Sequence, residues 1–200
     1  MYLMDIRELE PEYNRLLPLL PSLRKTMISR FKMKEDKLRC AAAGLLVKYV
    51  LGADEDRDIL RDGNGKPKFR DGFKSRLGGY FSLTHGGSYA ALSCREGEIG
   101  IDAEQIGSFP GSIFKICFRP DEQEWILKGG VNTRSYAVWT MKESIMKADG
   151  RGIAMEPKSF SVFDCGWNTA YREYDGHMFA AAAHGDEAAF SVKMVSPSKL

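Results

Sequence analysis

The spacing of apolar and polar residues changes character along this 200-residue chain, and each change marks an element. From Lys34 to Leu51 (KEDKLRCAAAGLLVKYVL), Leu38, Ala42, Leu45, Leu46 and Tyr49 share one stripe, which predicts a helix stopped by Gly52. DGNGKPKF (62–69) predicts a turn in which Asn-Gly supplies positive φ angles and Pro67 fixes the exit. YFSLT (80–84) and YAALS (89–93) predict two short strands separated by HGGS, with His85 just after the first. In EIGIDAEQ (98–105), Ile99, Ile101 and Ala103 alternate with Gly100, Asp102 and Glu104, the period of a half-buried strand. GSFPGS (107–112) is a loop and the best candidate for a boundary, which divides the chain into halves 1–106 and 107–200. PDEQEWILKGG (120–130) predicts a short helix with Pro120 near its start and Gly129 at its end, and Thr133–Asp149 a second helix stopped by Gly150 and Gly152. SFSVF (159–163), MFAAAA (178–183) and AFSVKM (189–194) read as strands. Helices and strands mix without a regular βαβ repeat, so the fold class is α+β.

Composition narrows the function classes. A hydrophobic fraction of 44% and a charged fraction of 28% are those of a soluble globular protein, and no apolar run approaches the roughly 20 residues of a membrane span. The N-terminus (MYLMDIRELEPEYN) carries early acids and no apolar core region, which argues against a signal peptide and for the cytoplasm. Cys40, Cys94, Cys117 and Cys165 are far apart and form no CxxC, which argues for reduced, partly buried thiols over zinc or a disulfide framework. A net charge of +2 is too small to argue for nucleic acid. Its distribution says more, since Arg24 to Lys48 holds eight basic residues against two acidic ones. Such a run is either a solvated face or a site for a phosphate-bearing or acidic partner.

Three stretches could carry chemistry. Residues two apart on a strand project from one face, so Asp102 and Glu104 stand side by side. Paired carboxylates of this kind suit a hard cation such as Mg²⁺, and equally fit a solvent-facing strand end. In WTMKESIMKADGRG (139–152), Trp139, Glu143 and Lys147 follow one another at steps of four along one helix face. Glu143 and Lys147 are then either an exposed ion pair, or a third carboxylate ligand with an ammonium that reaches a phosphate oxygen. His85 precedes two glycines that let backbone approach a bound group, while His177 and His184 have no acid or cysteine at useful spacing and are read as structural. GxSxG, GxxxxGK[ST] and GxGxxG are absent, which argues against hydrolase, P-loop and Rossmann readings.

GKP (65–67), FSLTHGG (81–87), GIDAE (100–104) and WTMKESIMKADGRGI (139–153) occur in that order. The set resembles the 4′-phosphopantetheinyl transferases, in particular the long single-chain group that activates nonribosomal peptide and polyketide synthases. The resemblance runs from about Arg24 to Ser161, and SFSV (159–162) and AAAAH (180–184) look like that family's closing strands. It implies transfer of phosphopantetheine from coenzyme A, as co-substrate, to a serine of an apo acyl or peptidyl carrier protein, with release of adenosine 3′,5′-bisphosphate. It implies Asp102, Glu104 and Glu143 as Mg²⁺ ligands and Lys147 on a pyrophosphate oxygen. Glu143, or a water it orients, would accept the serine proton. Thr84 and His85 would touch phosphates, Gly65, Lys66 and Pro67 would lie along the adenine, and Arg24 and Arg39 would grip the 3′-phosphate. Met27 stands where a second basic residue is usual, with Lys25 as a substitute; Thr84 replaces a common serine, and Ala103 a larger aliphatic residue. The implied fold is a pseudo-dimer of two similar α+β halves with the site in the cleft between them, in a chain that works as a monomer. A coenzyme A- or nucleotide-binding module without catalysis is the alternative, and the presence of all three acids and Lys147 favours the enzyme.

Overall fold

The computed structural model describes residues 1–185 and 190–200. In chain order these form β1 (Tyr2–Asp5), α1 (Ile6–Leu9), α2 (Tyr13–Leu16), α3 (Ser22–Arg30), α4 (Lys34–Leu46), α5 (Glu55–Asp58), β2 (Ile59–Arg61), β3 (Pro67–Phe69), β4 (Tyr80–Gly86), β5 (Tyr89–Arg95) and β6 (Ile99–Gln105). The second part holds α6 (Gly111–Cys117), α7 (Pro120–Leu127), α8 (Val131–Asp149), β7 (Asn168–Tyr174), β8 (His177–Ala183) and β9 (Lys193–Met194). The fold is α+β, with a four-stranded sheet β4-β5-β1-β9, a two-stranded ribbon β2-β3 and a three-stranded sheet β6-β8-β7.

Strand alternation builds the layers. Met4, Ala90 and Leu92 point from the four-stranded sheet onto α4, where they pack with Leu38, Leu45 and Leu46. Leu3, Tyr89 and Ala91 point the other way and meet Ile99, Ile101, Ala103, Phe179 and Ala181 of the three-stranded sheet. Ala180 and Ala182, on the far face of that sheet, pack with Val138, Met141 and Ile145 of α8. The two sheets thus lie face to face between α4 and α8. By sequence β6 precedes the 107–112 loop, yet it pairs with β8 beyond it, and β9 returns to pair parallel with β1.

Several elements differ from the sequence expectation, each for a physical reason. β6 is buried on both faces through Ala103, because α8 covers the face that periodicity assigned to solvent. His85 lies inside β4, paired opposite Ala90, since the hairpin closes through the two residues Gly87 and Ser88. The 62–69 turn is shorter: Asp62 N–H donates to Lys66 O, and Pro67–Phe69 already pair with β2. Only Gly65 of the Asn-Gly pair has positive φ (84°), so Asn64 keeps an ordinary conformation. Residues 159–163 form no strand, only an isolated bridge between Ser161 and Asp164. Of AFSVKM only Lys193–Met194 pair, and Ala189 lies outside the described residues. The Lys34 helix continues to Leu51 through a wider final turn and stops at Gly52 as expected.

Candidate active site

α8 is the centre of the site, and its burial pattern explains the sequence. Ser135, Ala137, Val138, Thr140, Met141, Lys142, Ser144, Ile145, Met146 and Ala148 are all buried, so the helix is enclosed on most of its circumference. Tyr136, Trp139, Glu143 and Lys147 form the half-buried stripe that remains. Lys142 holds a neighbouring face, about 100° round the helix from Glu143. Its ammonium and the Glu122 carboxylate on α7 are both 0% exposed, 2.8 Å apart, and Lys142 Nζ also donates to Pro157 O and Phe160 O at 2.7 Å. Burial pulls the lysine's pKa below its ordinary value in spite of Glu122. This pair fixes the rotation of α8, and with it the direction of Glu143.

Two glycines bring the site's strands into place. A Cβ at Gly100 would lie 1.9 Å from Ser144 O and 2.4 Å from Ala148 N, so β6 rests directly on the backbone of α8. A Cβ at Gly86 would lie 2.0 Å from Ala103 O, so the end of β4 rests on β6. Because Gly100, Asp102 and Glu104 share a face, this contact aims both acids at the half-buried stripe of α8.

The outcome is a tight polar junction of three elements. Lys147 Nζ donates to Asp102 Oδ1 at 2.5 Å and to Thr84 Oγ1 at 3.0 Å, and Thr84 Oγ1 donates to the same Asp102 Oδ1 at 3.1 Å. Asp102 is 4% exposed, and its second oxygen, Oδ2, is buried with no hydrogen-bond partner. Burial, then the charge of Asp102, raises the pKa of Glu143; Glu104 and Asp102 act on it alike, while Lys147 opposes. Glu104 is raised by the same two causes in the same order, against the Trp139 indole N–H and Lys147. Three carboxylates therefore share one region with a single ammonium, and the region is short of positive charge. As the side chains stand, no group of three or more His, Cys, Asp or Glu among the described residues closes to metal-ligand spacing. An orphaned carboxylate oxygen beside two reluctant carboxylates is nevertheless a donor set that suits a hard divalent cation.

The remaining candidates border this junction on two sides. Lys66 Nζ donates to Ala148 O at 2.5 Å and Asn64 Nδ2 to Gly150 O at 3.0 Å, which ties the Gly65-Lys66-Pro67 turn to the end of α8. Burial lowers the pKa of Lys66. Between turn and helix lies a cavity of about 240 Å³ that Gly65, Lys66, Pro67, Ser82, Lys147 and Gly150 help to line. On the other side, Arg39 Nη1 donates to Gly87 O at 2.8 Å and Nη2 to Asp36 at 2.6 Å. The His85 ring, exposed at its edge, has a lowered pKa, first through the protein packed around it and then through the cations Arg39 and Lys147, with Arg24 contributing. Arg24 itself is buried. Its fork is engaged by Glu55, with Nε to Oε2 at 2.7 Å and a second bond from Nη2 to Oε1.

Sequence reasoning did not single out Asn64, Ser82 or Lys142. Ser82 Oγ accepts from Ile101 N at 3.0 Å and helps join β4 to β6. Ser82 carries no local signal, because its partner is distant in the chain. Lys142 did carry one, as a lysine on a stripe of otherwise apolar residues. His177 is structural as read: its Nδ1–H faces Asp175 O at 2.6 Å, and Nε2 accepts from Ser88 N at 3.1 Å.

Residues 98–193 match the sequence model of the 4′-phosphopantetheinyl transferase superfamily. Over this segment the chain is similar to that superfamily. The chain is 27% identical over 167 residues to the 4′-phosphopantetheinyl transferase ffp of Bacillus subtilis, a match covering 80% of this chain and 73% of the relative. It is 27% identical, with the same coverage, to the 4′-phosphopantetheinyl transferase Sfp of Bacillus subtilis strain 168. It is 31% identical over 149 residues to the L-aminoadipate-semialdehyde dehydrogenase-phosphopantetheinyl transferase of Xenopus laevis, covering 64% of this chain and 49% of the relative. These likenesses support transferase chemistry of the phosphopantetheinyl type. The matched segment contains Asp102, Glu104, Glu143 and Lys147, while Thr84, His85, the Gly65–Pro67 turn and the two arginines precede it. No helix among the described residues is long and apolar enough to cross a membrane.

Proposed function

We propose that the protein transfers the 4′-phosphopantetheine group of coenzyme A to a serine of an apo acyl or peptidyl carrier protein and releases adenosine 3′,5′-bisphosphate. The observation that carries this reading is the junction of Asp102 and Lys147, both within the matched segment, with Thr84 just before it; Glu104 and Glu143 stand beside the junction, and Lys147 also lines the cavity at the Gly65–Pro67 turn. Asp102, Glu104 and Glu143 would hold Mg²⁺, and the orphaned Asp102 Oδ2 and the raised pKa values of both glutamates support that fit. When bound, the cation neutralises charge on the phosphoryl group under attack.

The chain's own groups do the rest. The Gly65-Lys66-Pro67 turn takes the adenine end of coenzyme A, and Arg39 faces the 3′-phosphate; Arg24, expected from the sequence to share that grip, is instead buried in its pair with Glu55. Thr84 and His85 hydrogen-bond the phosphates. A neutral imidazole among cations also marks a region of positive potential that a polyanion would fill. Lys147 steadies the pyrophosphate oxygen that becomes the leaving group. The carrier serine oxygen attacks the phosphorus bonded to pantetheine, and the bond to the adenosine-side phosphate oxygen breaks. The serine proton passes to Glu143 directly or through a water that Glu143 orients, and the raised pKa makes this carboxylate a better base than an exposed one.

The fold reading is a pseudo-dimer of halves 1–106 and 107–200, each a helix-backed sheet, with β6 and β9 exchanged across the boundary, acting as a monomer in the cytoplasm. Incubation with coenzyme A, Mg²⁺ and a panel of apo carrier proteins, followed by intact-mass measurement, tests the function. A phosphopantetheine mass gain on at least one carrier is expected. No gain on any carrier by folded protein overturns the transfer, and coenzyme A binding without transfer leaves the binding module.

A further inference from the structure

The acidic junction is neutralised by the protein's own lysine, and in an uneven way. Asp102 Oδ1 receives both Lys147 Nζ (2.5 Å) and Thr84 Oγ1 (3.1 Å), while Oδ2 of the same carboxylate, equally buried, receives nothing. Lys147 pairs with Asp102 rather than with Glu143, the residue one turn before it on its own helix. Its side chain is 31% exposed and also lines the cavity at the Gly65–Pro67 turn. An ammonium on a flexible four-carbon stem can serve either partner by rotation. While it holds Asp102 Oδ1, its charge lies one carboxylate width from Oδ2, the oxygen left for a divalent cation, and two positive charges that close repel in a buried site.

We propose that Lys147 guards the carboxylate cluster: in the ligand-free protein its ammonium holds Asp102 in place of a divalent cation, and a polyphosphate in the cavity draws it away. This rests on the reading of Asp102, Glu104 and Glu143 as a cation site. The consequence is coupling. A polyphosphate that binds better when Lys147 has left Asp102 shifts the protein toward the state that accepts the cation, and the cation strengthens polyphosphate binding by the same factor. The failure of three acids to close to metal-ligand spacing follows, since the lysine occupies the most buried of them. Lys147 is in this respect a positioning residue, separate from its contact with the leaving group.

The test is direct binding of Mn²⁺, followed by electron paramagnetic resonance, to the wild type and to Lys147→Gln, each with and without coenzyme A and with no carrier present. Without coenzyme A, Lys147→Gln is expected to bind Mn²⁺ at least about tenfold more tightly than the wild type. Coenzyme A is expected to strengthen Mn²⁺ binding by a larger factor in the wild type than in the variant, again by at least about tenfold. Equal Mn²⁺ affinities without coenzyme A, or equal coupling factors, overturn the guard. Thr84→Val, which removes the hydroxyl that Lys147 leans on, is expected to shift Mn²⁺ affinity in the same direction and serves if Lys147→Gln does not fold. Asp102→Asn separates the two levels. If it binds Mn²⁺ as tightly as the wild type, the cation-site reading falls and takes the guard with it; if it abolishes binding while Lys147→Gln changes nothing, the guard alone falls.

Discussion

Gly100→Ala is the sharpest perturbation of the site that touches none of its chemical groups. The added methyl would sit 1.9 Å from Ser144 O and 2.4 Å from Ala148 N, both backbone atoms of α8, whereas ordinary contact begins near 3.4 Å. Relief needs β6 and α8 to part by about 1.5 Å, because neither partner is a side chain that could rotate away. Asp102 rides on β6 and Lys147 on α8, so the backbone anchors of their 2.5 Å contact would move apart by the same amount. Overpacking of this kind costs about 1–3 kcal/mol, which for a chain of this size lowers the melting temperature by about 2–12 °C. A displacement of about 1 Å in a catalytic constellation costs about 10²-fold in rate, and a loss of at least that size in carrier modification is expected. Thermal melts and initial rates at saturating coenzyme A read the two effects. Gly97→Ala is the control, because the nearest atom to its methyl is Arg95 Nε at 3.9 Å, and it should match the wild type in both assays. A Gly100→Ala protein with wild-type melting and a rate within about twofold of wild type would refute the claim that this backbone contact sets the site.

Two further outcomes follow from buried charge. Arg24→Met leaves the Glu55 carboxylate buried without its partner and is expected to destabilise the protein by about 3–5 kcal/mol, seen in urea unfolding, with much of the loss recovered in Arg24→Met/Glu55→Leu; equal stability of single and double variants would contradict the pairing. Glu143→Gln is expected to raise the melting temperature of the ligand-free protein at pH 7. The folded-state pKa of Glu143 lies above its unfolded value, so its charge is a penalty that is full above the folded pKa and vanishes below the unfolded one. The gain should therefore shrink as pH falls towards the ordinary carboxylate range of about 4.3, and a gain that grows instead would reverse the sign of the argument.

The sequence made the helices and strands of the site legible because each of them is periodic. Trp139, Glu143 and Lys147 form one half-buried stripe, as steps of four require, and Asp102 and Glu104 share a strand face. What it could not carry is which layer covers which face. β6 alternates as a half-buried strand should, yet Gly100 admits α8 on the polar face, and a glycine in a strand does not announce its neighbour. The partner of Lys147 was open for the same reason: its i−4 acid was visible in the sequence, whereas Asp102 lies 45 positions away. Arg24 shows the limit for charge runs. Among eight basic residues from Arg24 to Lys48 it is the one buried in a fork with Glu55, and only the packing of α3 against α4 and α5 reveals it. The 159–163 stretch alternates without pairing, since hydrophobic alternation specifies a face and not a partner strand.

The proposed function is phosphopantetheine transfer at the site of Asp102, Glu143 and Lys147. Its most direct test is the intact mass of an apo carrier protein after incubation with coenzyme A, Mg²⁺ and either the wild type or Glu143→Gln, both shown to be folded by circular dichroism. One phosphopantetheine added per carrier by the wild type, and none by Glu143→Gln over the same period, is the predicted result. Full modification by Glu143→Gln, or none by the folded wild type on any carrier, would contradict it.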